Sequence, residues 1–336
     1  MNKWGASIIL IVIVVGIAIT GLVLYHHAQN NTSSASYLTQ ITNTGTMTFT
    51  GFCQPCSYDN VNSYSLGQIQ QDITMLKGLG VTQIRVDLGF DAWLSNDQAT
   101  IQKDISFINF IKSQGLTLVI ADASAEQYRH SPLPWTQYKE AWINRVQTIA
   151  QLFQPSYYLV IKEPGWYVPM VSDSRTNPQY QSSSDWLNLT SWLATTVMAV
   201  SPQTKIGVSV AANSLTKQPT FYDAFLTNLP SLVSFIGFDT YGTSDNTAMQ
   251  VFLNHYGNQG RAIWNAETWS APTPNTNEQT DPYWLITQYE FDLSNHASEM
   301  MPFYTNDFVS YSSSNPTNFV ASTPIASEVE KIISVS

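Results

Sequence analysis

Short apolar runs alternate with longer amphipathic ones along almost the whole chain, and this alternation limits the fold more than any other feature. Met47–Phe52, Thr82–Leu88, Thr117–Ala121, Tyr157–Ile161, Lys205–Val210, Phe235–Phe238, Arg261–Asn265 and Met300–Tyr304 read as strands. Between and after them, Leu66–Leu79, Gln98–Ser113, Trp135–Phe153, Ser184–Val200, Phe221–Leu226, Thr247–Tyr256, Tyr283–Asn295 and Ile325–Ile333 read as helices. Ile69, Ile73, Leu76 and Leu79 fall at helical spacing in the first of these, Gly78 and Gly80 mark its end, and Gly115 closes the second. Regular strand–helix alternation favours parallel pairing through right-handed crossovers. Eight such units closing on themselves make an α/β fold, a single (β/α)8 TIM barrel. An open doubly wound sheet is the competing arrangement, but no G-x-G-x-x-G follows the first strand and no G-x-x-x-x-G-K-[ST] occurs.

The barrel is expected to be preceded by an N-terminal transmembrane helix. Ser7 to Leu24 carries no charge, with Trp4 and Tyr25 at its ends. A run of about 18 apolar residues crosses a bilayer as a helix, and aromatics favour the interfaces. A cleaved signal peptide is the rival reading, but its apolar core is shorter and ends at small residues, whereas Tyr25-His26-His27 follows here. Lys3 precedes the run and the next Lys or Arg is Lys77, so the positive-inside bias puts the body outside the cell. The division is then a cytoplasmic tip (1–6), a transmembrane anchor (7–25), a polar stalk (26–46) and the barrel (47–336). The expected location is the cell membrane, single-pass, with the body extracellular.

Charged residues make up 11% of the 336-residue chain, against about 25% in an ordinary protein. A surface of neutral polar groups changes its charge little when carboxylates protonate, which points to an acidic exterior; a generally sugar-facing surface is the other reading. The net charge of −10 argues against a nucleic-acid partner. Asn30, Asn31 and Asn188 stand in N-x-[ST] sequons, compatible with an outward-facing body. Cys53 and Cys56, the only cysteines, are spaced for a local disulfide outside the cell; no second Cys or His pair completes a zinc set, and no metal or cofactor is expected.

In an α/β barrel the reactive groups stand at the carboxyl ends of the strands. "YYLVIKEPGWY" is an apolar strand that runs into Lys162 and Glu163, and "GRAIWNAETWSAP" runs through Ile263 and Trp264 into Glu267. Carboxylates at the ends of the fourth and seventh strands would point across one cleft. Glycoside hydrolysis needs such a pair: one acid to protonate the leaving oxygen, one carboxylate to attack or stabilise the anomeric carbon.

These segments resemble the clan A glycoside hydrolases, in particular the family 5, cellulase-like barrels, over the body from about Phe49 onward. "LGVTQIRVDLGFDAW" looks like their second-strand segment, which makes Arg85 the counterpart of an arginine supporting the nucleophile. "LVIKEP" looks like their fourth-strand Asn-Glu-Pro, so Glu163 takes the acid/base role. "FIGFDTYG" resembles the sixth strand, whose tyrosine is Tyr241 here, and "AIWNAETW" resembles the seventh, which makes Glu267 the nucleophile. The resemblance implies a retaining double displacement on a β-linked oligo- or polysaccharide.

Two departures stand out. Lys162 replaces the asparagine that binds a sugar hydroxyl beside the reacting carbon; a lysine could donate the same bond while lowering the pKa of Glu163. "MMPFYTNDFVSY" lacks the usual strand-eight tryptophan, for which Phe303, Tyr304 or Phe308 could substitute, and "LVIADAS" lacks a histidine that His130, on the next loop, could replace. Trp93, Trp135, Trp166, Tyr167 and Trp269 fall in loops after strands, where flat aromatic faces could stack on sugar rings. Trp93, Trp166, Tyr167, Trp269, His130 and Lys162 are therefore the expected substrate contacts. No H-E-x-x-H or G-x-S-x-G occurs, and Asp87, Asp122 and Asp239 form no recognisable metal set. A membrane-tethered, non-catalytic glycan-binding protein on the same barrel is the alternative.

Overall fold

The computed structural model describes residues 48–49, 65–88, 92–93, 95–128, 133–164, 182–268, 282–302, 309–311 and 319–322. The apolar run 7–25, the polar segment 26–46, Cys53 and Cys56, and the expected last helix Ile325–Ile333 lie outside them. Among the described residues no helix is long and apolar enough to cross a membrane.

Eight strands form one sheet: β1 (Thr48–Phe49), β2 (Gln83–Leu88), β3 (Thr117–Asp122), β4 (Tyr157–Lys162), β5 (Lys205–Ala211), β6 (Val233–Thr240), β7 (Ala262–Thr268) and β8 (Ala297–Pro302). Their order is β1-β8-β7-β6-β5-β4-β3-β2, and every adjacent pair is parallel. In a flat sheet with this order β2 and β7 would lie five strand spacings apart, roughly 24 Å. Instead Arg85 of β2 donates from Nη1 to the carbonyl of Ala266 in β7 at 2.6 Å, and Gln83 reaches Glu299 of β8 at 3.2 Å. The sheet is therefore rolled into a parallel β/α barrel.

The principal helices are α1 (Leu66–Gly78), α2 (Gln98–Ser113), α3 (Ser124–Gln127), α4 (Trp135–Phe153), α5 (Ser183–Val200), α6 (Ala212–Lys217), α7 (Pro219–Thr227), α8 (Thr243–Tyr256) and α9 (Pro282–Ser294). Their starts are written locally. Ser65 and Gln68 close a reciprocal capping box on α1, Asp97 caps α2, and Ser182 caps α5 through the backbone N–H of Asp185. Gly115, at φ +74°, turns the chain out of α2, a conformation that a side chain would strain. The long helices then bury apolar stripes, as in α4, where Tyr138, Trp142, Val146, Ile149 and Phe153 are buried.

Strand alternation fills the interior. Val119, Ala121, Leu159, Phe235, Trp264, Ala266 and Met301 form one buried cluster with Tyr157 packed against it. Phe235 stacks on Trp264 at 4.0 Å between centroids, and Tyr157 meets Trp264 edge-on at 4.8 Å. Gly207 makes this possible, since a Cβ there would sit 2.2 Å from the Phe235 ring. The base of the barrel is thus a packed plug, and the strand ends above it are polar.

Several elements differ from the sequence expectations: β6 runs two residues further at each end, α8 begins at Thr243 and α3 is additional. β7 extends to Thr268, so Glu267 lies within the strand. β8 begins at Ala297, where Ser298 and Glu299 break the apolar run; Glu299 nevertheless turns inward to receive Gln83. In place of one helix at Phe221–Leu226 there are two, α6 and α7, with Pro219 opening the second. Val309–Tyr311 and Phe319–Ser322 (β9 and β10) add a two-stranded antiparallel pair that the periodicity did not disclose.

Candidate active site

The polar end of the barrel is built from the same alternation that packs its base. On β2, Gln83, Arg85 and Asp87 occupy every second position, and all three are buried. Arg85 grips Asp87 with two parallel bonds, Nε to Oδ1 at 2.7 Å and Nη2 to Oδ2 at 2.8 Å. Its Nη2 also donates to Glu267 Oε1 at 2.5 Å. From β4, the Lys162 ammonium lies 3.0 Å from Asp87 Oδ2 and 2.7 Å from Glu267 Oε1. From the end of β6, the Tyr241 hydroxyl donates to Glu267 Oε2 at 2.5 Å. Three donors on three strands therefore converge on one carboxylate.

Burial alone would push Glu267 up. The Lys162 and Arg85 charges, with hydrogen bonds from Lys162 and Tyr241, outweigh it and hold the carboxyl down to about 2. Burial likewise opposes a charge on Lys162, but Asp87 and Glu267 prevail and keep it well above the ordinary lysine range. For Tyr241 burial and the Glu267 and Asp239 charges act together, raising the phenol so that it remains a donor.

Glu163 follows the last residue of β4 and is buried. Its backbone N–H bonds to the Ser209 carbonyl of β5 at 2.8 Å, and its φ is +48°, a left-handed conformation for a residue with a side chain. Such a backbone costs on the order of 1–3 kcal/mol and persists only where its surroundings enforce it. Pro164 next in the chain accepts from the Tyr222 hydroxyl of α7, a tie that helps enforce it. The charges of Glu163 and Glu267 both bear on Asp239 and on Tyr241, so the two glutamates share one neighbourhood.

The structure thus brings together Arg85, Lys162, Glu163, Tyr241 and Glu267. The resemblance directs Lys162 at a sugar hydroxyl and its charge at Glu163; in the structure its ammonium is committed to Asp87 and Glu267, and its charge falls on those two carboxylates ahead of Glu163. Trp93 is not part of the cluster. Its indole N–H donates to Asp104 of α2 at 3.1 Å and its ring meets Phe153 of α4 edge-on at 6.2 Å, which commits it to the helical layer. Trp135 is likewise buried, against Tyr128, Tyr138 and Trp186. His130, Trp166, Tyr167, Trp269, Phe303, Tyr304 and Phe308 lie outside the described residues.

Sequence reasoning missed Asp87, Ser209 and Asp239. A signal was present: two charged residues two apart in "QIRVDL", and Asp239 two before Tyr241 in "FDTY", mark polar positions on the inward face of buried strands. Among the described residues no three His, Cys, Asp or Glu side chains gather as a metal centre would require.

No family model matches the sequence, and no curated protein matches it. Solved structures do match in fold. A structure described as β-glycosidase BGL167 is 12% identical, with a TM-score of 0.57 over 82% of this chain and 87% of that one. A family 1 β-glucosidase from Thermotoga maritima is 10% identical, with a TM-score of 0.57 over 80% and 86%. Fpglu1 from Fervidobacterium pennivoraus is 8% identical, with a TM-score of 0.55 over 86% and 95%. At such identities the likeness is one of fold, a parallel β/α barrel of the type those glycosidases use.

Proposed function

We propose that this protein is a retaining glycoside hydrolase of clan A type acting on a β-linked glycan, with Glu267 as nucleophile and Glu163 as acid/base. One observation carries the reading: Arg85, Lys162 and Tyr241 hold a buried carboxylate at the end of β7, while a second glutamate stands at the end of β4. The fold likeness to β-glucosidases supports the same class, and the family 5-like motifs supply the roles.

In the first step Glu267 attacks the anomeric carbon as the bond to the leaving oxygen breaks, and Glu163 gives that oxygen its proton. The product is a glycosyl ester on Glu267. Glu163, now a carboxylate, then takes a proton from water; the water oxygen attacks the anomeric carbon, and the Glu267 carboxylate departs. The two carboxyl groups should stand about 5–5.5 Å apart for this course. Arg85, Lys162 and Tyr241 keep Glu267 ionised and aimed, while Asp87 fixes the two cations. The N-terminal run 7–25 would tether the barrel to the outer face of the membrane.

Lys162 also favours a second reading. An ammonium 2.7 Å from Oε1 draws charge from the attacking carboxylate and would slow its attack, as in a barrel that binds glycan without cutting it. Incubation with 2-deoxy-2-fluoro β-glycosides, followed by peptide mass spectrometry, separates the two. The hydrolase traps a fluoroglycosyl ester on Glu267. Sugar binding without any adduct, and unchanged by Glu267→Gln, would leave only the binding protein.

A further inference from the structure

A third carboxyl group joins the same buried cluster from β6 and has no part in the steps above. Phe235, Gly237 and Asp239 alternate on the inward face of that strand: Phe235 belongs to the interior cluster, and a Cβ on Gly237 would press on Ala266 and Ser209. In register, Asp239 pairs with Glu267 on β7 and with Ala211 on β5. Its Oδ2 accepts a hydrogen bond from Ser209 Oγ at 3.2 Å. Ser209 also supplies the carbonyl that holds the Glu163 N–H, so one β5 residue braces both the acid/base and Asp239. Asp239 is 1% exposed, and among the described residues its Oδ1 has no hydrogen-bond partner. A buried carboxyl oxygen left unmatched is costly unless something else completes it.

We propose that Asp239 is a substrate-binding residue whose open Oδ1 pairs with a hydroxyl of the sugar unit seated between Glu163 and Glu267. The inference rests on the glycosidase reading and deepens it. Around the barrel the order is β4, β5, β6, β7, so Asp239 stands on the arc that runs from one glutamate to the other. A sugar bridging those glutamates passes over it.

The group acts as the neutral acid. Arg85 and Lys162 are already balanced by Asp87 and Glu267 before Asp239 is counted. A further negative charge would sit beside Glu267 in a medium that screens it poorly. The groups bearing on Asp239 are Glu163 and Lys162 from β4, Ser209 from β5, Tyr222 from α7, Tyr241 from its own element, Glu267 from β7 and Arg85 from β2. Burial foremost, then Glu267 and Glu163, raise its carboxyl well above the ordinary range, against Arg85 and Lys162. A neutral carboxyl both donates and accepts, as a sugar hydroxyl does, whereas a carboxylate only accepts.

The test uses 4-nitrophenyl β-glucoside, β-galactoside, β-mannoside and β-xyloside, with the monodeoxy analogues of whichever is cleaved best. Asp239→Ala should lower kcat/KM roughly 10- to 100-fold. Asp239→Asn, which keeps a donor and an acceptor, should recover much of that loss. One deoxy analogue should be cut equally poorly by wild type and Asp239→Ala, which identifies the hydroxyl concerned. A wild-type-minus-Asp239→Asn infrared difference spectrum at neutral pH should show a protonated carboxyl band; Asp104 and Asp292 are common to both proteins and cancel. Should the alanine variant fail to fold, the asparagine variant and that band decide. Undiminished turnover by Asp239→Ala, an equal penalty on every deoxy analogue, or a missing band would overturn the proposal while leaving the hydrolase reading intact. Failure of the wild type to bind or cleave any of the four glycosides would count against the hydrolase reading, and this proposal would fall with it.

Discussion

Two buried charge clusters stand on opposite faces of the sheet, and they are built to different rules. The outer one lies between the sheet and α4. Asp122 of β3 accepts from Arg145, from the Ser124 hydroxyl, from the Ser124 backbone N–H at 2.9 Å and from the Tyr158 hydroxyl at 3.3 Å. Tyr138 then closes on the Ser124 carbonyl at 2.7 Å. One cation meets one carboxylate, and the anion is saturated with donors. Among the described residues the inner cluster has two cations against Asp87, Glu163, Asp239 and Glu267, and one oxygen of Asp239 is left open. A carboxylate matched by one cation and several further donors stitches helix to sheet. A cluster with surplus carboxyl groups crowded at strand ends is costly to bury and is the arrangement expected where chemistry is done.

The sharpest break between the two is functional. Glu267→Gln removes the proposed nucleophile and should cut turnover of a cleavable 4-nitrophenyl glycoside by more than ~10³-fold. Arg145→Ala should leave kcat/KM of the folded protein unchanged while leaving Asp122 buried without its cation. The expected cost is about 3–5 kcal/mol in urea unfolding. An Arg145→Ala protein as stable as wild type would end the assignment of the outer cluster to stability.

Lys162→Asn probes the inner cluster more gently. It withdraws one of the charges that hold Glu267 down to about 2, so the acidic limb of the pH–rate profile should move up by about 1–3 units. An unmoved limb would show that Arg85 and Tyr241 alone hold the Glu267 carboxyl down.

Stability against pH separates the buried carboxyl groups by sign. Glu267, depressed to about 2, binds its proton less tightly folded than unfolded. Its contribution is complete above the unfolded value near 4.3 and is lost as pH falls towards about 2. Asp104 and Asp292 behave in the opposite sense. Burial, partly offset by a hydrogen bond from Trp93, raises Asp104 to about 7; burial against bonds from Asn265 and Gln288 raises Asp292 to about 8. Both bind protons more tightly when folded, so stability should decline as pH rises from about 4 through those values. Urea midpoints for Asp292→Asn should flatten that decline up to pH 8.

The alternation, and through it the barrel, was legible in the chain alone. Each strand carries its apolar face locally, and each helix carries its own cap and stripe, so neighbours in the chain suffice to read them. It also marked Glu163 and Glu267, because a charge at the end of an apolar strand is conspicuous without any partner. That Lys162 turns to Glu267 and Asp87, that Trp93 is spent on Asp104, and that Asp239 joins the glutamates became visible in three dimensions alone. Those outcomes depend on which side chains meet when a sheet rolls and brings β2 beside β7. Contacts between residues 182 positions apart, as in Arg85 and Glu267, leave no trace in local periodicity.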